Sequence, residues 1–318
     1  MSKSVRCGTV TIGGGVPISV QSMTNVNSHD REALIRQIRQ LEDAGCDIVR
    51  VAVPDMEAAE VLKQVKPQVN IPVVADIHFD YRLAIAAIEA GADKIRINPG
   101  NIGSRDRVKA VVDAAKERDI PIRIGVNSGS LEQDIREKYG GVTAEGLAES
   151  ALRNVRLIEN MGYDHLVVSL KSSDVGMNYR AHKIVAEKTD HPIHIGVTEA
   201  GTVKRGKVKS AVGIGALLLE GIGDTMRVSL TADPVEEVLY AREILEAVGI
   251  RKPKFDLISC PSCGRTKIDL QKLTEEVERR ISAVRVKPGL KIAVMGCAVN
   301  GPGEARDADF GVACGSGK

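Results

Sequence analysis

Short runs of β-branched residues alternate with segments of helical periodicity along most of the chain. The helical segments repeat their apolar residues about every 3.6 positions, as in Leu34, Ile35, Ile38 and Leu41. The β-branched runs predict eight strands over residues 18–24, 48–54, 73–79, 94–100, 122–127, 165–171, 194–200 and 224–230. Because a helix follows each strand, we expect parallel strands and an α/β fold of the (β/α)8, or TIM, barrel type.

Three further segments complete the predicted organisation. A hairpin over residues 5–12 precedes the first barrel strand and is placed to close the bottom of the barrel. The longest connection, residues 128–142, forms either a lid or a plain surface loop. We expect a barrel domain over residues 1–248, a linker over 249–257 and a small α/β domain over 258–318, with a helix at 270–284 and a strand at 291–295.

Polar residues interrupt the predicted strands near their carboxyl ends, although a parallel strand in a barrel is normally apolar. Several of them are two residues apart, so that both members of a pair face the same side of the strand. The set is Arg50, Asp76, His78, Arg96, Asn98, Arg123, Asn127, Ser169, Lys171, Thr198, Glu199, Arg227 and Ser229. TIM barrels place their active sites at this face, so these residues form our candidate site.

The charge of this set indicates what it binds. Its cations are Arg50, Arg96, Arg123, Lys171 and Arg227, and its anions are Asp76 and Glu199. Burying such a surplus of positive charge is costly unless a ligand brings negative charge. Since arginine donates two parallel hydrogen bonds to phosphate, the pattern favours a polyanionic small molecule, most simply a diphosphate. The alternative is an internal network of ion pairs.

A second candidate site lies in the C-terminal part of the chain. Cys260 and Cys263 are two thiols spaced to bind one metal across a turn, and Cys297 and Glu304 follow in a distant segment. Three sulfurs and one oxygen favour a redox-active iron–sulfur cluster with one exchangeable position. The same cysteine turn also occurs in structural zinc sites, for which Cys314 offers a fourth thiol. Spacing alone leaves a cluster, a zinc ion and no metal as open alternatives.

Composition excludes several classes of function. The chain of 318 residues has a net charge of +2, no Trp and 3% aromatic residues, which argues against nucleic-acid binding. No apolar run approaches the roughly 20 residues of a membrane span, and the N-terminus lacks the apolar segment of a signal peptide. Six cysteines in a chain of this size do not form a disulfide framework, so we expect a reducing, cytoplasmic compartment.

Seven motifs together identify a family resemblance. They are VQSMTN (20–25), VADIHFDYR (74–82), RINPGNIG (96–103), RIGVNSGSL (123–131), GDTMRVSL (223–230), CPSCGR (260–265) and GCAVNGPGEA (296–305). Over essentially the whole chain they resemble the bacterial 4-hydroxy-3-methylbut-2-en-1-yl diphosphate synthases of the non-mevalonate (MEP) isoprenoid pathway. The resemblance implies reductive ring opening and dehydration of 2-C-methyl-D-erythritol 2,4-cyclodiphosphate to 4-hydroxy-3-methylbut-2-enyl diphosphate, with two electrons delivered through a cluster.

The resemblance also implies roles for the candidate residues. A [4Fe–4S] cluster would be held by Cys260, Cys263 and Cys297, with Glu304 on the fourth iron. Glu199 would donate the proton that the departing oxygen needs, supported by Asp76 and His78. The substrate would be bound by Arg50, Arg96, Asn98, Arg123, Asn127, Ser169, Lys171, Thr198, Arg227 and Ser229. Reduced flavodoxin or ferredoxin would supply the electrons, and the assembly would be a head-to-tail homodimer.

Two features depart from the family pattern. Family members usually continue for some tens of residues past the segment that ends here at 317–318, so we expect a cluster domain that is truncated or naturally short. Cys314 stands where the family usually has glycine and is a possible competitor of Glu304. Two rival functions remain: a phosphate-binding lyase or transferase with a zinc-stabilised tail, and a non-catalytic metal-binding or scaffold protein.

Overall fold

A computed structural model describes residues 1–266, 268–297, 299 and 301–314; the side chains of Pro302 and Glu304 fall outside that description. The chain divides into two compact units, Met1–Ile244 and Leu245–Lys318. Each unit has its own sheet. The two are therefore described in turn.

Eight parallel strands in the first unit form the barrel, after an antiparallel hairpin of β1 (Ser4–Cys7) and β2 (Val10–Gly13). The barrel strands are β3 (Ser19–Met23), β4 (Ile48–Ala52), β5 (Val73–Asp76), β6 (Lys94–Ile97), β7 (Ile122–Asn127), β8 (Leu166–Lys171), β9 (His194–Ile195) and β10 (Thr225–Met226). Their order around the barrel is β8-β7-β6-β5-β4-β3-β10-β9, and a parallel bridge from Val168 to Ile193 joins the two end strands. The predicted (β/α)8 barrel is confirmed.

Helices follow the strands and cover the outside of the barrel. They are α1 (Arg31–Asp43), α2 (Met56–Val65), α3 (Tyr81–Glu89), α4 (Pro99–Ile102), α5 (Arg105–Glu117), α6 (Gln133–Tyr139), α7 (Ala144–Glu159), α8 (Val175–Ala186), α9 (Val203–Leu219) and α10 (Pro234–Ala247). Helix α1 illustrates the local code: the Asp30 side chain accepts from the N–H of Ala33, and the apolar stripe is buried. In the described part of the chain, no helix combines the length and apolar character needed to cross a membrane.

The N-terminal hairpin closes one end of the barrel, as predicted. Val5, Cys7 and Ile12 form a buried cluster with Ile48 and Val74, which lie on the barrel strands. Burial raises the pKa of the Cys7 thiol to about 11. Cys7 is therefore an apolar packing residue at the bottom of the barrel, and we do not expect its thiol to bind a metal.

The connection over residues 128–142 contains structure of its own. A 3₁₀ turn at Ser128–Ser130 leads into α6, and a Cβ at Gly146 of α7 would lie 3.2 Å from Ile135 and 3.4 Å from Leu131. Glu132 accepts a hydrogen bond from the Ser150 hydroxyl at 2.6 Å. These contacts pack the segment against α7. Whether the segment acts as a lid or is a plain surface loop, it contains a helix, α6, that is held in place by α7.

Six strands end earlier than the sequence pattern predicts: β3 and β4 by one and two residues, and β5, β6, β9 and β10 by three to five residues. β5 ends at Asp76, and β6 ends before Asn98, whose side chain accepts from the N–H of Gly100 and caps α4. β9 and β10 pair over two residues each. Glu199 has a φ of 51°, which is incompatible with an extended strand. Seven of the thirteen predicted site residues therefore lie on strands, and six follow the strand ends in loop or cap positions: His78, Asn98, Thr198, Glu199, Arg227 and Ser229.

The second unit contains a three-stranded parallel sheet. Its elements are β11 (Phe255–Ser259), α11 (Leu270–Ala283), β12 (Leu290–Met295), α12 (Gly301–Glu304) and β13 (Phe310–Ala313). The strand order is β11-β12-β13, and Leu270 of α11 packs on Ile292 and Val294 of the central strand. β11 begins inside the segment predicted as a linker, because the alternating run from Phe255 pairs with β12.

The packing of the barrel leaves no room for a side chain at Gly196. A Cβ at Gly196 would lie 2.7 Å from the carbonyl oxygen of Arg227, which is backbone and cannot rotate away. We expect Gly196→Ala to lower the free energy of unfolding by about 1–3 kcal/mol, measured by chemical denaturation. Gly129→Ala is the control, since nothing lies within 4 Å of its Cβ position. Equal effects of the two substitutions would contradict this packing.

Candidate functional site

Strand pairing brings the predicted polar residues together, but not all of them stand at carboxyl ends: Arg123 is the second residue of β7, and Arg50 is the third residue of β4. Asp76 pairs with Arg96 on the next strand, and Arg96 pairs with Arg123 on the strand after that. Asn127 and Lys171 are paired in the same way. The buried members of the predicted set are Arg50, Asp76, Arg96, Asn98, Arg123, Ser169 and Lys171. We call these residues, with Arg227, the barrel mouth.

Asp76 organises one half of the barrel mouth. Its Oδ1 accepts from Nη1 of Arg96 at 3.3 Å, and its Oδ2 lies 3.4 Å from Nε2 of His78 and 3.9 Å from Nε of Arg50. Burial by itself raises the pKa of Asp76, but the charge of Arg50, the hydrogen bond of His78 and the charge of Arg96 outweigh it and hold this pKa well below its ordinary value. Asp76 is therefore suited to anchor arginines as a carboxylate.

Glu237 organises the other half. It lies in the first turn of α10, is buried, and accepts from Nη2 and Nε of Arg227 at 3.1 and 3.3 Å. The thioether of Met23 lies between two guanidinium groups, 2.9 Å from Nη2 of Arg50 and 3.8 Å from Nη1 of Arg227. Sulfur is only a weak acceptor. It separates the two cations without neutralising either.

Arg123 and Lys171 are buried cations for which the described residues provide no carboxylate partner. Nε of Arg123 donates to the Ser169 hydroxyl at 3.0 Å, while its Nη1 is buried without a partner. Burial, followed by the positive charges nearby, holds the pKa of both side chains well below their ordinary values. A pair of buried cations in this state is stabilised by an anionic ligand.

The remaining predicted residues lie around the rim. The amide oxygen of Asn127, oriented by its hydrogen bonds, accepts from Nη2 of Arg96 at 3.3 Å. Thr198 and Ser229 are half-buried, and His78 is exposed. Glu199 is exposed too, and its left-handed backbone is an uncommon conformation for a non-glycine residue. Such strain recurs at functional positions, which makes Glu199 a candidate on conformation as well as on charge.

The cysteines of the second unit follow the carboxyl ends of neighbouring strands. Cys260 comes directly after β11, Cys297 follows β12 by two residues, and Cys314 comes directly after β13. The N–H of Gly296 donates to Sγ of Cys260 at 3.2 Å. A hydrogen bond from the backbone N–H of Arg265, followed by one from its side chain, lowers the pKa of Cys263. Backbone donors aimed at sulfur stabilise thiolates, the form in which cysteine binds metal.

The cysteine side chains are not gathered around a common point. In the part of the chain that the structure describes, no three His, Cys, Asp or Glu side chains are grouped as ligands of one ion. The backbone of Glu304 ends α12, and its side chain lies outside the described residues. The chemistry of the donor set and its common sheet edge suit a cluster bound by thiolates, and the ligand set itself stays a prediction.

Comparison with known proteins covers both units. The model of the GcpE TIM-barrel domain matches residues 2–242, and that of the GcpE protein C-terminal domain matches residues 256–318. This chain belongs to the GcpE family. It is 59% identical over 315 residues to a protein of Caldanaerobacter subterraneus subsp. tengcongensis, covering 99% of this chain and 88% of the relative. It is 55% identical to one of Clostridium perfringens, covering 100% and 90%. Both relatives are named 4-hydroxy-3-methylbut-2-en-1-yl diphosphate synthase (flavodoxin).

Solved structures of more distant proteins resemble the barrel of this GcpE family member. The dihydropteroate synthase of Yersinia pestis aligns with a TM-score of 0.55 at 14% identity, covering 78% of this chain and 98% of that one. A phospho-2-dehydro-3-deoxyheptonate aldolase of Thermotoga maritima aligns at 0.52 and 15% identity, covering 78% and 75%. At such identities the likeness establishes the barrel fold only.

Two residues that contact arginines of the barrel mouth, Glu237 and Met23, were not predicted from the sequence. Glu237 stands beside Glu236 in an amphipathic helix, where nothing in the local pattern separates a buried carboxylate from an exposed one. Met23 reads as an ordinary apolar residue of a strand. The only available signal was its place in the family motif at residues 20–25. The roles of Glu237 and Met23 follow only from their three-dimensional contacts with Arg227 and Arg50.

The position of Asp76 predicts a dependence of stability on pH. Its pKa is lower in the folded protein than the value of about 3.9 in an unfolded chain, so its contribution is present above pH 4 and is lost as the pH falls further. Asp76→Asn leaves two buried arginines without their carboxylate. We expect it to lower the free energy of unfolding by about 3–5 kcal/mol at neutral pH and to flatten its fall in acid.

The control for this prediction is Asp113→Asn, which removes an exposed partner of Lys109 on a helix surface. We expect a change of less than about 1 kcal/mol. Denaturation curves between pH 3 and 7 measure both variants. If Asp76→Asn were as stable as the wild type, Asp76 would not be the anchor of this half of the mouth.

Proposed function

We propose that this chain opens the ring of 2-C-methyl-D-erythritol 2,4-cyclodiphosphate reductively and releases 4-hydroxy-3-methylbut-2-en-1-yl diphosphate, the product in the names of its relatives. The observation that carries the proposal is the pair of buried cations, Arg123 and Lys171, that have no carboxylate among the described residues. If these cations belonged to an internal ion-pair network, carboxylates of the protein would neutralise their charge. A bound diphosphate supplies the missing negative charge.

The barrel mouth binds and orients the diphosphate. Arg50, Arg96, Arg123, Lys171 and Arg227 provide charge-assisted hydrogen bonds, which are stronger than neutral ones. Asn98 and Ser169 inside the mouth and Asn127, Thr198 and Ser229 around its rim add neutral polar groups. Because Asp76 is hydrogen-bonded to Arg96 and lies close to Arg50, it restricts these side chains and reduces the entropy that is lost when substrate binds.

The reaction consumes two electrons and one proton, cleaves carbon–oxygen bonds and releases one oxygen as water. Glu199 is the proposed donor of that proton. It is exposed at the mouth, whereas Asp76 is held as a carboxylate by its arginines and cannot donate at neutral pH. His78, hydrogen-bonded to Asp76, lies beside it at the rim.

Cys260, Cys263 and Cys297 would hold a [4Fe–4S] cluster, with Glu304 on the fourth iron. When bound, such a cluster supplies electrons one at a time. Flavodoxin, which is part of the names of the relatives, is the proposed donor, with ferredoxin as an alternative. The family resemblance further implies a head-to-tail homodimer. Thiolate ligands and the absence of disulfides among the six described cysteines suit a reducing cytoplasm.

Substitution of Lys171 separates ligand binding from structural pairing. Lys171→Met removes an uncompensated buried charge, so we expect the ligand-free protein to be as stable as the wild type or about 1–4 kcal/mol more stable. The same variant loses an anion contact. We expect the Kd for the cyclodiphosphate, measured by calorimetry, to rise at least about tenfold.

Lys183→Met, which alters an exposed lysine paired with Glu220, is the matched control and should leave the affinity unchanged. Loss of stability in Lys171→Met with unchanged affinity would assign Lys171 to an internal ion-pair network. That result would also remove the main support for a diphosphate substrate.

Anaerobic preparation tests the cluster and the reaction together. We expect a brown protein with about four irons and four sulfides per chain that converts the cyclodiphosphate when a chemical reductant is added. Glu304→Gln should abolish turnover, and Cys314→Ala should leave it intact. A colourless protein with one zinc would refute the redox function and leave a phosphate-binding barrel with a zinc-stabilised tail. The reverse pattern of the two variants would reassign the fourth ligand.

A further inference from the structure

Arg227 is held by a carboxylate that the chain supplies from outside the barrel strands. Glu237 is only 3% exposed, although it lies in a surface helix. Its Oε2 accepts from Nη2 of Arg227 at 3.1 Å and from Nε at 3.3 Å, and its Oε1 lies 3.4 Å from Nη2. The carboxylate therefore engages the Nε–Nη2 side of the guanidinium, mainly through Oε2, by charge-assisted hydrogen bonds.

The carboxylate has one further firm donor and a weaker one, a hydroxyl that lies equally close to the carbonyl oxygen of Pro234. The N–H of Leu230 donates to Oε1 at 2.8 Å, and the Ser22 hydroxyl lies 3.4 Å from Oε2. These donors come from the segment after β10 and from β3, so Glu237 ties together three elements around Arg227. A carboxylate with this number of partners has little freedom to rotate.

The opposite edge of the Arg227 guanidinium faces a much weaker partner. Its Nη1 lies 3.8 Å from the thioether of Met23, which also accepts from Arg50. A phosphate oxygen is a far better acceptor than a thioether sulfur. Arg227 thus has one edge bound firmly by protein and one edge that an anionic ligand can take.

A carboxylate that merely neutralised Arg227 would weaken the attraction of the mouth for anions. Its benefit is geometric: an arginine held in its binding rotamer does not lose that freedom when the ligand arrives. From this arrangement we propose that Glu237 is a positioning residue, which presents the Nη1 edge of Arg227 to the diphosphate. The inference rests on the proposed function, since it requires an anionic ligand in the barrel mouth.

The test compares Glu237→Gln with Glu236→Gln in the anaerobic, cluster-containing enzyme. Glutamine keeps the size of the side chain but removes the charge that orients Arg227. Glu236 is the neighbouring exposed glutamate, 3.9 Å from Nζ of Lys207, and has no contact with the mouth. We expect Glu237→Gln to raise KM for the cyclodiphosphate about tenfold with kcat within about twofold, and Glu236→Gln to change neither.

A second pair of variants tests whether the effect of Glu237 on KM depends on Arg227. In an Arg227→Met background the guanidinium is gone, so the further change Glu237→Gln should leave KM within about twofold of the single variant. The double variant also removes the buried charge that Glu237→Gln leaves unpaired, which keeps the comparison valid if the single variant folds poorly. An equal KM increase in both backgrounds, or a loss of stability with unchanged KM, would overturn the positioning role.

Binding of inorganic pyrophosphate, measured by calorimetry, distinguishes this inference from the proposed function. If the wild type binds pyrophosphate but does not convert the cyclodiphosphate, the proposed reaction fails and the role of Glu237 is still tested by its effect on pyrophosphate affinity. We expect Glu237→Gln to weaken that affinity about tenfold as well. Unchanged pyrophosphate affinity in Glu237→Gln would overturn the inference.

Discussion

The barrel mouth is built around positive charge that the protein does not neutralise. Arg123 and Lys171 are buried, their pKa values are depressed, and the described residues offer them no carboxylate. Burial of this kind lowers the stability of the ligand-free protein, because each cation has left water without a full set of partners. An anionic ligand bound in the mouth offsets this cost as binding energy. The position of every other polar residue in the mouth can be understood from this imbalance.

The carboxylates of the mouth act through orientation more than through neutralisation. Asp76 holds Arg50 and Arg96, and Glu237 holds Arg227, each by one side of the guanidinium group. Cations arranged in this way are fixed before the ligand arrives, which raises affinity without adding contacts. A mouth with free arginines would have more net charge and would lose more entropy on binding.

Strand spacing predicted the fold and much of the mouth for a physical reason. Parallel strands that are followed by helices form a barrel, and polar residues at the ends of such strands have to meet at one face, so Asp76 followed from its position. Arg123 lies near the start of β7 and reaches Arg96 through the register of the two strands. Glu237 did not, because its burial depends on where α10 packs, a tertiary contact that leaves no mark on the helical pattern. Glu199 was found by its charge, but its left-handed backbone, which is incompatible with the predicted extended strand, required coordinates.

In the second unit, too, the candidate residues follow the carboxyl ends of parallel strands, but they are cysteines. Its parallel strands end at one edge, and Cys260, Cys297 and Cys314 follow those ends in order. β12 lies between β11 and β13, so the backbones at Cys260 and Cys314 are separated by about two strand spacings, or about 9.5 Å. That separation exceeds the reach of a disulfide, which requires Cα atoms closer than about 7 Å. Cys314 can therefore remain a thiol near the predicted cluster ligands without forming a disulfide with Cys260. Its position at the same edge of the sheet does not by itself make it a ligand of the cluster.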